Sequence, residues 1–285
     1  MNELALFAGA GGGILEGILL GWRTICAVEI EPYCREVLLR RQRDGVLPVF
    51  PIWDDVRTFD GRAWRGLVDI LTAGFPCQPF SNAGKLRGAD DERNMWPETI
   101  RCIRDVGPEW CLLENVPGLL IHGYFGQILG DLAEAGYDAA WDIVSAGEVG
   151  APHVRQRIWI VAHNHANGCL QLDALSGMRK GPDTDDDIAI RDHWNFPTSG
   201  CNCGAGILGR ALARSHPWRS GDPADLQASD ESFVGRVADG VADRVDRLRA
   251  IGNGQVPLVA AVAWERLTRS LIESRNPSDT RKNCT

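Results

Sequence analysis

Residues 4–13 read Leu4-Ala5-Leu6-Phe7-Ala8-Gly9-Ala10-Gly11-Gly12-Gly13. The apolar run Leu4–Ala8 stops in a glycine cluster, and helical patterning follows from about Ile14 to Leu20. Glycines at such a turn let the backbone reverse tightly and let a ligand approach it closely. Glu29 comes twenty residues after Gly9, at the end of a second β-rich run, Thr24–Val28. An acid at that spacing suits the two hydroxyls of a ribose. The glycine order is not a clean G-x-G-x-x-G. The spacing points to an adenosine-type cofactor and leaves a nicotinamide cofactor and S-adenosylmethionine (SAM) both open.

Outward from this stretch the alternation continues. Pro32 stands where a first helical turn accepts it, and that helix can run to about Arg43. Val68–Ala73 reads as a buried strand ending at Gly74-Phe75-Pro76-Cys77. Trp110–Leu113 is another, ending at Glu114-Asn115. Tyr124–Glu134 reads as a helix, and Ala139–Val144 and Arg157–Ala162 as strands. Strands alternating with helices imply an α/β fold with a parallel sheet. Ligands of such sheets bind beyond the carboxyl ends of the strands. Gly9, Glu29, Cys77 and Glu114 all fall just past such ends. From about Asn164 to Ser232 the pattern breaks down into Gly-, Asp- and Pro-rich sequence. Regularity resumes at Val234–Arg249. A last helix is expected from about Leu258 to Ser274, with Val259, Val262, Ala263, Leu267 and Leu271 on one side.

The bulk properties set limits. The 285 residues are 44% hydrophobic and 24% charged, which suits one large domain with a smaller attachment. No apolar run has the length of a membrane span and no basic leader precedes Leu4, so a cytoplasmic protein is expected. Nine scattered cysteines read as reduced thiols rather than a disulfide framework. The net charge of −8 disfavours nucleic acid as a partner if taken alone. Local charge matters more, and basic residues gather at Lys85 and Arg87, at Arg155 and Arg157, and at Arg210, Arg214 and Arg219.

Cys77 lies between two prolines after a strand, a setting that holds a thiol in one orientation. Taken with the other strand-end residues, the chain resembles the cytosine-5 DNA methyltransferases, bacterial or phage type. Phe7-Ala8-Gly9-Ala10-Gly11-Gly12 is similar to the family's first motif, and Phe75-Pro76-Cys77-Gln78-Pro79-Phe80-Ser81 to its nucleophile motif. Glu114-Asn115-Val116 resembles the motif that supplies a carboxylic acid, and Arg155-Gln156-Arg157 the arginine motif. Ile251-Gly252-Asn253-Gly254-Gln255-Val256-Pro257 resembles the last one. All five stand in the family's order. The chain departs from the usual pattern at Ala5, where many members have an acid, at His153, where many have glutamine, and at Gly254-Gln255.

The resemblance implies a Rossmann-like SAM-dependent methyltransferase sheet with a small inserted target-recognition domain. The catalytic domain would be 1–163 plus 234–275, the recognition region 164–233, and a flexible tail 276–285. Cys77 would be the nucleophile, Glu114 the acid at N3 of cytosine, and Arg155 and Arg157 its companions. Phe7, Ala8, Gly9, Gly11, Gly12, Glu29, Ile30, Asp55, Pro76 and Asn253 would hold SAM. Ser81, Lys85, Arg87, Arg210 and Arg214 would meet double-stranded DNA, from which the target base must be flipped. A monomer is expected, with a cognate restriction endonuclease as a possible genetic companion. Cys201 and Cys203, with Cys169, His165 and His193, lack the C-x-x-C spacing usual for zinc, and no metal is expected. Action on RNA is the rival within this chemistry. The tRNA-acting branch tends to carry a second proline where Phe75 stands.

Overall fold

The computed structural model describes residues 1–76, 94–120, 123–164, 250 and 254–275. In chain order the strands are β1 (Asn2–Leu6), β2 (Arg23–Val28), β3 (Ile52–Trp53), β4 (Ile70–Gly74), β5 (Trp110–Asn115), β6 (Tyr137–Ser145) and β7 (Gln156–Asn164). The helices are α1 (Gly12–Leu19), α2 (Pro32–Arg43), α3 (Trp96–Val106), α4 (Tyr124–Glu134) and α5 (Pro257–Arg275). The sheet order is β3-β2-β1-β4-β5-β7-β6. The chain lays β2 and β3 on one side of β1 and then returns to place β4 on the other. This reversal opens a crevice at the carboxyl ends of β1 and β4, where α/β sheets take their ligands.

The expected parallel sheet is corrected to a mixed one. β1 to β5 are parallel to their neighbours, but β7 runs antiparallel to both β5 and β6. No helix crosses between β6 and β7. A single 3₁₀ turn, Ala146–Val149, begins their connection, and a link without a crossover helix joins antiparallel neighbours.

The strands alternate between two faces. Leu4 and Leu6 point to the side covered by α3 and α4, where Trp96, Ile100, Ile103, Ile128 and Leu132 are buried. Ala5 and Ala27 face α1 and α2 through Ile14 and Leu38. The same side carries α5 further along the sheet, over Ile70, Trp110, Leu112, Trp159 and Val161. Trp264 of α5 meets Trp22 edge-on at 5.0 Å and Trp110 at 5.2 Å between ring centroids. Of the apolar positions expected on this helix, Val259, Ala263, Leu267 and Leu271 are buried, and Val262 packs at the rim. Helix α3 was not anticipated, although Trp96, Thr99, Ile100, Ile103 and Val106 recur at helical spacing and Gly107 ends it in the left-handed region. Burial pushes the thiols of Cys26 and Cys102 up to about 12 and about 11, so these cysteines are packing residues.

Two carboxyls are buried on the α1 side of the sheet. Glu3 of β1 accepts hydrogen bonds from Thr24 of β2 at 2.6 Å and Thr72 of β4 at 2.8 Å. Gly17 of α1 leaves it room, since a Cβ there would stand 2.9 Å from Glu3 Oε2. Glu16 of α1 is also buried, and its Oε1 has no hydrogen-bond partner among the described residues. Burial holds the Glu16 carboxyl well above its ordinary value of 4.5, with repulsion from Glu3 and Glu114 adding to it. Above that ordinary value the unfolded chain releases a proton that the folded chain retains. Stability therefore falls as pH rises toward the folded-state value. Glu16→Gln removes this dependence. Its melting temperature relative to the native chain should improve between pH 5 and pH 8, and thermal unfolding at the two pH values checks this.

Candidate active site

The turn after β1 is built on unusual backbone. Gly9 and Gly11 have φ of 55° and 95°, which glycine adopts without penalty, whereas Phe7 has φ of 53°. Among described residues the only other non-glycine with positive φ is Arg155, at 26°. Each such conformation costs on the order of 1–3 kcal/mol, and strain of this kind gathers at functional sites. Phe7 lines the crevice defined by the sheet, and Arg155 bonds to Gly254, which also lines it. Glu29, beyond β2, fixes the turn: its Oε2 accepts the Gly9 N–H at 2.6 Å and its Oε1 the Glu31 N–H at 2.7 Å. It is only 6% exposed. Burial raises its pKa, and the two backbone hydrogen bonds oppose the rise.

The crevice is a cleft of about 400 Å³, open to solvent. Phe7, Ala8, Gly9, Gly13 and Ile14 line one wall, Thr72 to Gly74 another, and Glu114, Gly254 and Gln255 the third. Ile30 and Trp53, about half exposed, stand at the ends of β2 and β3. The Glu29 N–H donates to the Trp53 carbonyl, which keeps those ends together.

The antiparallel pairing of β5 with β7 explains the acid's surroundings. Glu114 lies opposite Trp159, so Arg157, two residues away in β7, shares its face as a diagonal neighbour. Arg157 Nε reaches Glu114 Oε1 at 2.8 Å. Glu114 also accepts a hydrogen bond from the Gln255 side chain. Burial raises the Glu114 pKa. Arg157, Arg155 and Gln255 pull in the opposite direction without cancelling the effect. Arg155 Nη2 donates to the Gly254 carbonyl at 2.6 Å and so ties β7 to the segment before α5. A buried carboxyl with a raised pKa, close to cations, can deliver a proton to a group that gains negative charge.

Asn115 anchors the next loop. Its Nδ2 donates to the Phe75 carbonyl at 3.0 Å. The Phe75 ring packs 5.2 Å from Trp96, and the Met95 N–H donates to the Pro76 carbonyl at 3.3 Å. Pro76, the residue before Cys77, is therefore held between β4, β5 and α3.

The expected site residues do not all reach the cleft. Phe7, Ala8, Gly9 and Glu114 line the cleft, while Glu29, Arg155 and Arg157 bond to its walls or to residues beside them. Gly11 and Gly12 pack away from it, the first against Leu38 and the second against Gln255. Asp55 is occupied locally, because both of its oxygens pair with Arg57 and it caps a 3₁₀ turn. Cys77, Ser81, Lys85, Arg87, Arg210, Arg214, Arg219 and Asn253 lie outside the described residues. So do the recognition region from 165 onward, the stretch 234–249, the tail and the Cys201/Cys203 cluster. Among the described residues no His, Cys, Asp and Glu group could hold a metal, and no helix is long and apolar enough to cross a membrane. Sequence reasoning had not placed Gly13, Thr72, Gly74 or Gln255 at the site.

A family model for C-5 cytosine-specific DNA methylases matches residues 1–182, more than half of the chain. The chain belongs to that family. The Type II methyltransferase M.NgoMIV of Neisseria gonorrhoeae is 38% identical over 165 residues, covering 56% of this chain and 51% of that protein. M.DsaV of Dactylococcopsis salina is 33% identical over 172 residues, covering 59% and 47%. The chain spans about half the length of these curated relatives. A solved structure of the S. pombe Dnmt2 methyltransferase is 21% identical with a TM-score of 0.48, covering 70% of this chain and 62% of that one.

The glycine turn also carries the segment before α5. A Cβ on Gly12 would lie 2.7 Å from the Gln255 carbonyl oxygen and 3.1 Å from its nitrogen. Both are backbone atoms that cannot step aside cheaply. Gly12→Ala should therefore lower stability by about 1–3 kcal/mol, the usual cost of overpacking. The midpoint of urea unfolding measures it, and an unchanged midpoint would separate the two segments.

Proposed function

We propose that the chain transfers the methyl group of SAM to carbon 5 of cytosine in double-stranded DNA, at a specific sequence and through Cys77. The observation that carries this reading is Glu114: a buried carboxyl of raised pKa, held by Arg157 and Gln255 on the cleft wall, one hydrogen-bonded residue away from the loop that leads into Pro76-Cys77.

The donor set fits SAM. Each Glu29 oxygen accepts one backbone N–H, which leaves each a further lone pair for a ribose hydroxyl. Ile30 and Trp53 offer apolar surface beside it for adenine, with Phe7 nearer the turn. When bound, SAM supplies an electrophilic methyl group. Ala8, Gly9, Pro76 and Asn253 complete the proposed binding set, and Gly11 and Gly12, which pack behind the cleft, shape the turn that presents it. Asp55 belongs to it only if it leaves Arg57.

The chain's own groups do the rest. The Cys77 thiolate adds to carbon 6 of the flipped cytosine, forming a carbon–sulfur bond and displacing the ring's π electrons toward carbon 5 and N3. Glu114 gives its proton to N3 and takes up the resulting negative charge beside Arg157. After methylation, the carbon 5 proton leaves to water or hydroxide, the carbon–sulfur bond breaks, the carbon 5–carbon 6 double bond re-forms and N3 returns its proton to Glu114. Arg155 and Arg157 hold the base or its phosphate. Ser81, Lys85 and Arg87 close over the DNA, and 164–233, through Arg210 and Arg214, reads the sequence. The chain acts as a cytoplasmic monomer, and a restriction endonuclease of the same specificity is its genetic counterpart.

Cys77→Ser should abolish methyl transfer while SAM still binds. DNA carrying 5-fluorocytosine should trap a covalent adduct with the native chain, because fluorine cannot leave as a proton does. An adduct with the serine variant would remove Cys77 from the reaction. Offering DNA and RNA side by side decides the substrate. Glu29→Ala should weaken SAM binding by about 1–3 kcal/mol, and unchanged calorimetric affinity would take Glu29 out of the site.

A further inference from the structure

Gln255 enters the site by a route that three glycines keep open. A Cβ on Gly13 would stand 2.5 Å from Gln255 Oε1, and one on Gly74 would stand 2.9 Å from its Nε2 and 3.1 Å from Glu114 Oε2. Gly12 makes the same allowance for the Gln255 backbone. The side chain therefore threads between the start of α1 and the end of β4 and finishes against the acid. It lines the main cleft and also a smaller, open recess shared with Glu114, Arg155, Arg157 and Trp159.

We propose that Gln255 is a positioning residue whose side-chain amide holds the Glu114 carboxyl in place and keeps it able to release its proton. The role rests on the reading of Glu114 as the proton donor. A general acid works best when its proton is neither lost beforehand nor held too tightly. Burial alone drives the Glu114 proton toward being held too tightly. The Gln255 N–H donates to the charged form, as the Arg157 guanidinium does, and both oppose that drift. Gln255 does this from the cleft side, on a segment fixed by Arg155 through the Gly254 carbonyl. A ligand that fills the cleft touches the same segment that holds the acid.

The test is a titration of the full chain labelled with glutamate carrying carbon-13 at Cδ, with Glu114→Gln identifying the Glu114 signal. Gln255→Met keeps the length of the side chain and removes the amide. Its Glu114 signal should titrate about one pH unit higher than in the native chain, the scale of one hydrogen bond to a charged group. Gly13→Ala, whose Cβ would meet only the Gln255 side chain, displaces the amide without altering it, should shift the signal the same way and serves if Gln255→Met does not fold. A Glu114 titration unchanged in both variants overturns the proposal. In methyl-transfer assays, the alkaline limb of the kcat profile should move up with the titration. A native chain that transfers no methyl group would refute the reading of Glu114 as proton donor, while the titration would still decide the role of Gln255.

Discussion

The seating of α5 on the sheet is the contact on which the rest of the site depends. Trp264 lies between Trp22, at the start of β2, and Trp110, at the start of β5. Aromatic rings at such edge-on angles contribute about 0.5–1.5 kcal/mol per pair beyond the area they bury. These rings clamp a helix from late in the chain across strands from its first half. Once Trp264 is seated, the residues just before Pro257 have little choice of path. They run over the glycine turn, and Gly254 and Gln255 arrive at the end of β4 and at Glu114. The cleft is thus closed by two segments more than 240 residues apart in sequence.

Glu114 shows how the sheet sets an electrostatic balance. A lone carboxyl at this depth would hold its proton, and an exposed one would lose it. The strand pairing places one arginine beside it, and the α5 junction adds an amide. Removing one partner of a buried pair is more costly than forming the pair is beneficial. The arrangement is accordingly rigid: Arg155 is bound to the Gly254 carbonyl, and Asn115, the next residue after the acid, is bound to the Phe75 carbonyl. The strained backbone at Arg155 lies within this network, where its side chain is bound to the Gly254 carbonyl.

Much of this was legible in the sequence where the signal is local. Tyr124–Glu134 and Pro32–Arg43 appear with the expected bounds, since a proline, a glycine and a helical apolar period mark them. The strand ends carrying Gly9, Glu29 and Glu114 were legible for the same reason. The direction of β7 was not, because period-two alternation is the same in a parallel and an antiparallel strand. Asp55 was expected at the cofactor from the family resemblance, but Arg57, two residues away, claims it. Gln255 stood out as a departure from the family pattern, yet its function depends on Gly13, Gly74 and Glu114. Contacts of that range leave no periodic trace in a single chain.

Glu3 bears on a different question, how the centre of the sheet finds its alignment. Its carboxyl bonds to one hydroxyl on each flanking strand, Thr24 on β2 and Thr72 on β4. A slip of β1 by a single residue would turn Glu3 toward the apolar side packed by α3 and α4 and would bring Leu4 toward the two threonines. The buried acid acts as a key cut for one lock. It makes every neighbouring alignment of three strands costly, and it fixes the height at which the glycine turn and the end of β4 meet.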